Sequence, residues 1–143
     1  MPGSGKSCHL FLLLTLLLLS GPIVAQNTKE TKQETALRLI KEAQQLTAEK
    51  SATSLAKAIE KFEAARILAR SLNDVEGEAK LLSELGFDYK QLGQNQKALE
   101  AYTQSLPLFR VVRNQRDEAI ALMNLGLIQN ISGEKQKALD NLD

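Results

Sequence analysis

Apolar residues recur at three- and four-residue spacing from Glu34 to the end of the chain, and polar or glycine-containing clusters interrupt them at intervals. That spacing is the signature of amphipathic helices. The first predicted helix starts at Glu34, with Ala36, Leu37, Leu39, Ile40, Ala43 and Leu46 at that spacing. Ser51, Thr53 and Ser54 follow, any of which can cap a second helix carrying Leu55, Ala58, Ile59, Phe62, Ala65, Ile67 and Leu68. After a turn at Asn73-Asp74, a third helix is expected from about Glu76 to Leu92, ended by Gly93. Asn95 should cap a fourth, through Ala98, Leu99, Tyr102, Leu106 and Phe109, with a kink at Pro107. A turn at 114–117 leads to a fifth helix from about Glu118 to Ile131. Ser132-Gly133 should break it and open a sixth helix at Glu134. No stretch alternates with period two, so a sheet is not expected.

The helices come in copies. Over 27 positions from Gly77, 10 residues recur 40 positions later, among them Leu82, Leu85-Gly86, Gly93 and Gln96-Lys97-Ala98-Leu99. Ordinary composition gives roughly two by chance. A weaker upstream copy aligns Lys57-Ala58-Ile59-Glu60 on Lys97-Ala98-Leu99-Glu100. A fixed period of this length predicts helical hairpins that each stack on the next, since one hairpin cannot bury its own apolar surface. Close approach within a hairpin needs small side chains: Gly86 is expected to face Ala98, and Gly126 to face Ala138. Leu82, Leu85, Tyr89 and Tyr102 supply the surrounding apolar area in the middle copy, and Leu122 and Leu125 in the last. The fold class is therefore all-α, antiparallel hairpins stacked as an α-α superhelix.

The first 25 residues stand apart. Lys6 precedes an apolar run from Leu10 to Leu19; Ser20-Gly21-Pro22 breaks it, and Ala25 stands before Gln26. This is the layout of a secretory signal peptide. Ten apolar residues fall short of the roughly 20 that span a bilayer, which favours cleavage after Ala25 over a retained membrane tether. Export to a periplasmic or extracellular space follows, with no stable membrane span after cleavage. Gly3-Ser4-Gly5-Lys6-Ser7 lacks the upstream glycine and the strand that a phosphate-binding loop requires. The expected organisation is a leader at 1–25, a flexible tether at 26–33 and an array at 34–143, divided into copies at about 34–73, 74–114 and 115–143.

Cleavage also limits the chemistry. The only cysteine, Cys8, and the only histidine, His9, leave with the leader. No thiol nucleophile, imidazole base or soft metal ligand remains. Losing Lys6 leaves 17 basic against 17 acidic side chains, which argues against a nucleic-acid footprint. Acidic pairs such as Glu60 with Glu63, or Glu76 with Glu78, sit among lysines at helix-surface spacing, the pattern of a solvated face. No catalytic residue, metal or cofactor is expected.

At Leu82, Leu85-Gly86, Tyr89, Ala98 and Tyr102, and again at Leu122, Leu125-Gly126 and Ala138, the chain resembles the tetratricopeptide repeat in a forty-residue form. In the first copy Gln45-Leu46 replaces leucine-glycine, and in the last Gln129 stands where that family favours tyrosine. The resemblance implies a protein-binding scaffold whose first helices line a concave groove holding a protein or peptide. It places groove residues at Lys80, Ser83, Phe87 and Lys90 in the middle copy, and at Ile120, Met123, Leu127 and Asn130 in the last. The apolar groups among them imply an apolar or amphipathic ligand, with Lys80 and Lys90 at the rim. Alternatively, these side chains pack between repeats and the array is a spacer or dimerisation arm. The phrases 105–110 and 133–140 are similar to exported bacterial proteins in which such repeats precede a caspase-like (CHAT) peptidase domain. That likeness implies a downstream domain of a longer chain as a partner.

Overall fold

The computed structural model describes the backbone of residues 30–140 and the side chains of residues 30–133. Five helices are present among these residues: α1 (Lys32–Glu49), α2 (Ala52–Ser71), α3 (Val75–Gln91), α4 (Asn95–Val111) and α5 (Gln115–Asp140). α1 packs on α2 and α3 on α4 as antiparallel hairpins; α2 meets α3 and α4 meets α5 between them. The leader at 1–25 and residues 26–29 of the expected tether lie outside the described residues.

Capping explains where the helices begin. The tether reaches less far than 33, because Thr31 caps α1: its hydroxyl accepts from the Glu34 N–H at 3.2 Å, and the Thr31 N–H donates to the Glu34 carboxylate at 2.8 Å. This reciprocal pair satisfies two otherwise orphaned donors. Ser51 and Ser54 form the same box at the start of α2, and Asp74 accepts from the Gly77 N–H at 2.9 Å to cap α3. Asn95 does not cap α4. It is already helical, and Gln94 takes the cap position without a side-chain bond. The chain runs through Pro107 and continues helical to Val111.

Three turns share one geometry at twenty-residue spacing. Asn73, Gly93 and Arg113 adopt left-handed φ values of 56°, 71° and 57°. After each, the next N–H reaches back to close the turn: Asp74 to Ala69, Gln94 to Tyr89 and Asn114 to Phe109, all at 2.9 Å. These are Schellman closures, which satisfy the last helical carbonyls. The arginine and the asparagine accept a backbone that costs about 1–2 kcal/mol, because packing of the flanking helices compensates.

The fourth turn, expected at Gly133, does not form: α5 is one helix of 26 residues. Glycine inside a helix costs only about 1 kcal/mol against alanine. Turning would sacrifice several helical hydrogen bonds, and a returning helix must offset that by burial. α4 does so with Tyr102, Leu106 and Phe109, all buried. Gly126 and Ala138 therefore lie twelve residues apart on one helix, about 18 Å, and cannot face each other.

The core has two centres. Phe62, Ala58, Ala65, Ala69, Leu81 and Leu85 belong to the first; Ala98, Tyr102, Leu106, Phe109, Ala121 and Ile128 belong to the second. Tyr89 packs against both. The glycine at 86 is needed for Tyr102 rather than Ala98: a Cβ there would lie 2.8 Å from the tyrosine ring. The last copy departs from its expected packing. Leu125 is partly buried, but Leu122 is 47% exposed and Gly126 faces open space. Instead α5 buries Ala121 and Ile128, the side turned toward the preceding hairpin.

Candidate functional site

The first helices of the three copies stand side by side, and a groove of about 400 Å³ runs between them. α1 contributes Ile40 and Gln44; α3 contributes Gly77, Lys80, Leu81, Ser83 and Glu84; α5 contributes Asp117 and Ile120, with Phe109 of α4 at the base. Ile40, Lys80 and Ile120 occupy one register position, forty residues apart, as do Gln44 and Glu84. The groove is thus a product of the repeat itself.

Charges around it are partly matched. Lys80 pairs with Glu76 at 2.6 Å, and this hydrogen bond holds the Glu76 carboxyl below its ordinary range. Glu118 bonds Arg110 at 2.6 Å, as Glu78 bonds Arg70, so an ion pair spans each turn between hairpins. Glu84 differs: burial, reinforced by the charge of Asp88, raises its carboxyl. The Ser83 hydroxyl is buried without a hydrogen-bond partner. One turn beyond Glu84, Asp88 is fully buried; its Oδ2 accepts from the Thr47 hydroxyl at 2.9 Å while Oδ1 has no partner. Burial lifts the Asp88 carboxyl to about 6, against the lowering effect of Thr47.

Of the residues expected in the groove, Lys80, Ser83 and Ile120 line it. Phe87, Met123 and Leu127 continue past its end and are 37%, 67% and 48% exposed, so they are not core. Lys90 is not a free rim charge: its ammonium donates to the Asn124 side chain at 2.8 Å and sits 5.5 Å from the Phe87 ring centre, tying α3 to α5. Asn130 is exposed further along α5. Ile40, Gln44, Glu84, Phe109 and Asp117 escaped sequence reasoning. Carrying the forty-residue register back to Ile40 would have found the α1 wall; the degenerate Gln45-Leu46 obscured it.

Among the described residues no group of three or more His, Cys, Asp or Glu is placed to hold a metal ion. No helix there is long and apolar enough to cross a membrane. Residues 77–143 match the family model described as tetratricopeptide repeat. No curated protein and no solved structure matches the chain. The fold is an all-α helical repeat, and its part from 77 to 143 is similar to the tetratricopeptide repeat. Such repeats generally mediate protein–protein interaction and typically act as non-catalytic scaffolds.

Proposed function

We propose that the chain is an exported, non-catalytic scaffold that holds an apolar or amphipathic protein segment in the groove between α1, α3 and α5. The groove carries this reading: Ile40, Leu81 and Ile120 form apolar walls, and exposed Phe87, Met123 and Leu127 extend them along the same helices. The lysines that could clamp a terminal carboxylate are engaged, Lys80 with Glu76 and Lys90 with Asn124. Burial of each large side chain against a ligand contributes roughly 1.5–3 kcal/mol before ordering costs. A photo-crosslinking residue at Ile120 should capture one protein in the native host, and the same residue at Ile67, exposed on α2, should not. Equal capture at both positions would remove the groove. Export rests on the leader at 1–25; terminal sequencing should give Gln26 first, and recovery of Met1 or Cys8 would sink it.

A second reading has its own support. The uncovered Leu122 and Gly126 at the end of the array suit stacking of a following element. The array is then a spacer for a downstream domain such as a CHAT peptidase, and sequence of the gene beyond Asp143 decides it.

A further inference from the structure

Glu84 is the unmatched group of the groove. It is partly buried on α3 and lines the groove, and among the described residues no hydrogen bond or ion pair reaches its carboxylate. The cations of its own helix are turned elsewhere, Lys80 to Glu76 and Lys90 to Asn124. Burial raises the Glu84 carboxyl, and the charge that acts on it, that of Asp88, has the same sign. A carboxylate drawn out of water without a cation is destabilising.

Its surroundings divide by chemistry. Ile40, Leu81 and Ile120 give the groove apolar walls. Gln44 stands one turn along from Ile40, and Glu84 one turn along from Lys80, so a polar rung crosses α1 and α3 beside the apolar one. Ser83 adds a hydroxyl to the same lining, buried and without a partner. Gln44, Ser83 and Glu84 thus bring three acceptor groups to one stretch of the groove. Among the described residues that line the groove only Lys80 is cationic, and it already lies in the field of Glu76, Asp117 and Asp74. The balance is an excess of negative charge beside apolar walls.

We propose that the groove selects a basic side chain: the segment held there carries a lysine or arginine whose stem lies along Ile40, Leu81 and Ile120 and whose cation pairs with Glu84. This specificity rests on the groove being the binding site, and it adds the charge of the ligand. Lysine and arginine suit the lining because each joins an apolar stem to a cationic head that only donates hydrogen bonds. Gln44 and Ser83 accept the donors that one carboxylate leaves over. An acidic or purely apolar segment would strip water from Glu84 and supply no cation, which disfavours it.

Random peptides displayed on phage and selected against the immobilised full chain supply the probes. Retained peptides should lose affinity on Ile120→Ser, at a groove position already 42% exposed, with helical circular dichroism unchanged. They should carry lysine or arginine among apolar residues. Exchanging that basic residue for glutamine should weaken binding to the parent roughly tenfold or more. The same exchange should matter far less against Glu84→Gln, the signature of a direct pair. Peptides indifferent to Ile120→Ser, or no retained peptide at all, remove the groove as a binding site and this specificity with it. Peptides that need Ile120 yet carry no basic residue overturn the specificity and leave the groove standing. So do peptides whose basic residue matters equally against Glu84→Gln.

Discussion

α3 and α5 are the same helix written twice, and they have different fates. Leu82 and Leu122 are identical residues in identical register, yet one is 4% and the other 47% exposed. Gly86 lies under a tyrosine ring, whereas Gly126 faces open space. What differs among the described residues is the packing: α3 lies between α2 and α4, while α5 meets α4 and, lightly, α3. In a stacked repeat the burial of a residue belongs to the neighbours as much as to the residue.

The sharpest way to break this comparison is to truncate the paired leucines. Leu82→Ala should cost 2–5 kcal/mol, the usual range for emptying a packed site, and Leu122→Ala under about 1 kcal/mol, both read by urea unfolding. Equal losses would mean that the last helix is covered in solution. The glycines should then differ in sign. Gly86→Ala drives a methyl into Tyr102 and should destabilise by about 1–3 kcal/mol. Gly126→Ala, in open helix, should stabilise by up to about 1 kcal/mol.

Asp88 sharpens the contrast, because Ile128 occupies its register position in the last copy and is equally buried. The Asp88 carboxyl is raised from 3.8 to about 6 in the folded chain. The folded state therefore binds a proton that the unfolded state lacks over that interval. This contribution to stability is full below about 4 and is lost as pH rises through about 6. Melting should thus be higher at pH 5 than at pH 7, by an increment of about 1–2 kcal/mol. Asp88→Asn should keep the Thr47 bond and flatten the profile over this window. A profile unchanged by Asp88→Asn would show that the carboxylate is solvated after all. The smallest effect is expected on the groove side, where α3 and α5 agree. Phe87→Ser and Leu127→Ser, both at exposed positions, should each change stability by under about 1 kcal/mol. A larger loss by calorimetry would place them in the core.

Much of the fold was legible in the sequence because its determinants are local. Ser51, Asp74 and Gly93 mark their boundaries by side chain alone, and the apolar period gives the four helices between Lys32 and Val111. The misses are non-local. Arg113 carries no mark of a left-handed turn; the flanking helices impose it. Gly133 carries that mark and makes no turn: α5 runs straight through it. Gly86 was correctly read as a close approach, but which side chain approaches depends on the register between α3 and α4, which composition does not disclose. The apolar α1 wall of the groove was hidden by a degenerate first copy, whereas Lys80, Ser83 and Ile120, which also line it, had been named from the family resemblance.

Among the described residues, Tyr89 packs against both core centres. Most helix contacts join sequence neighbours; beyond these, Thr47 of α1 bonds Asp88 of α3 and a light contact joins α3 to α5. Low sequence separation of this kind favours fast folding, and a linear stack folds as one unit only as far as its junctions are strong. At the junction Leu81 and Leu85 of α3 and Ala101 of α4 pack into the Phe62 cluster with Tyr89 beside them. Whether the chain melts in one step or in two, with the hairpin around Phe62 parting from that around Tyr102, depends on how firmly this shared packing holds. Tyr89, a packing position within one hairpin, is thus also part of what fastens that hairpin to its neighbour.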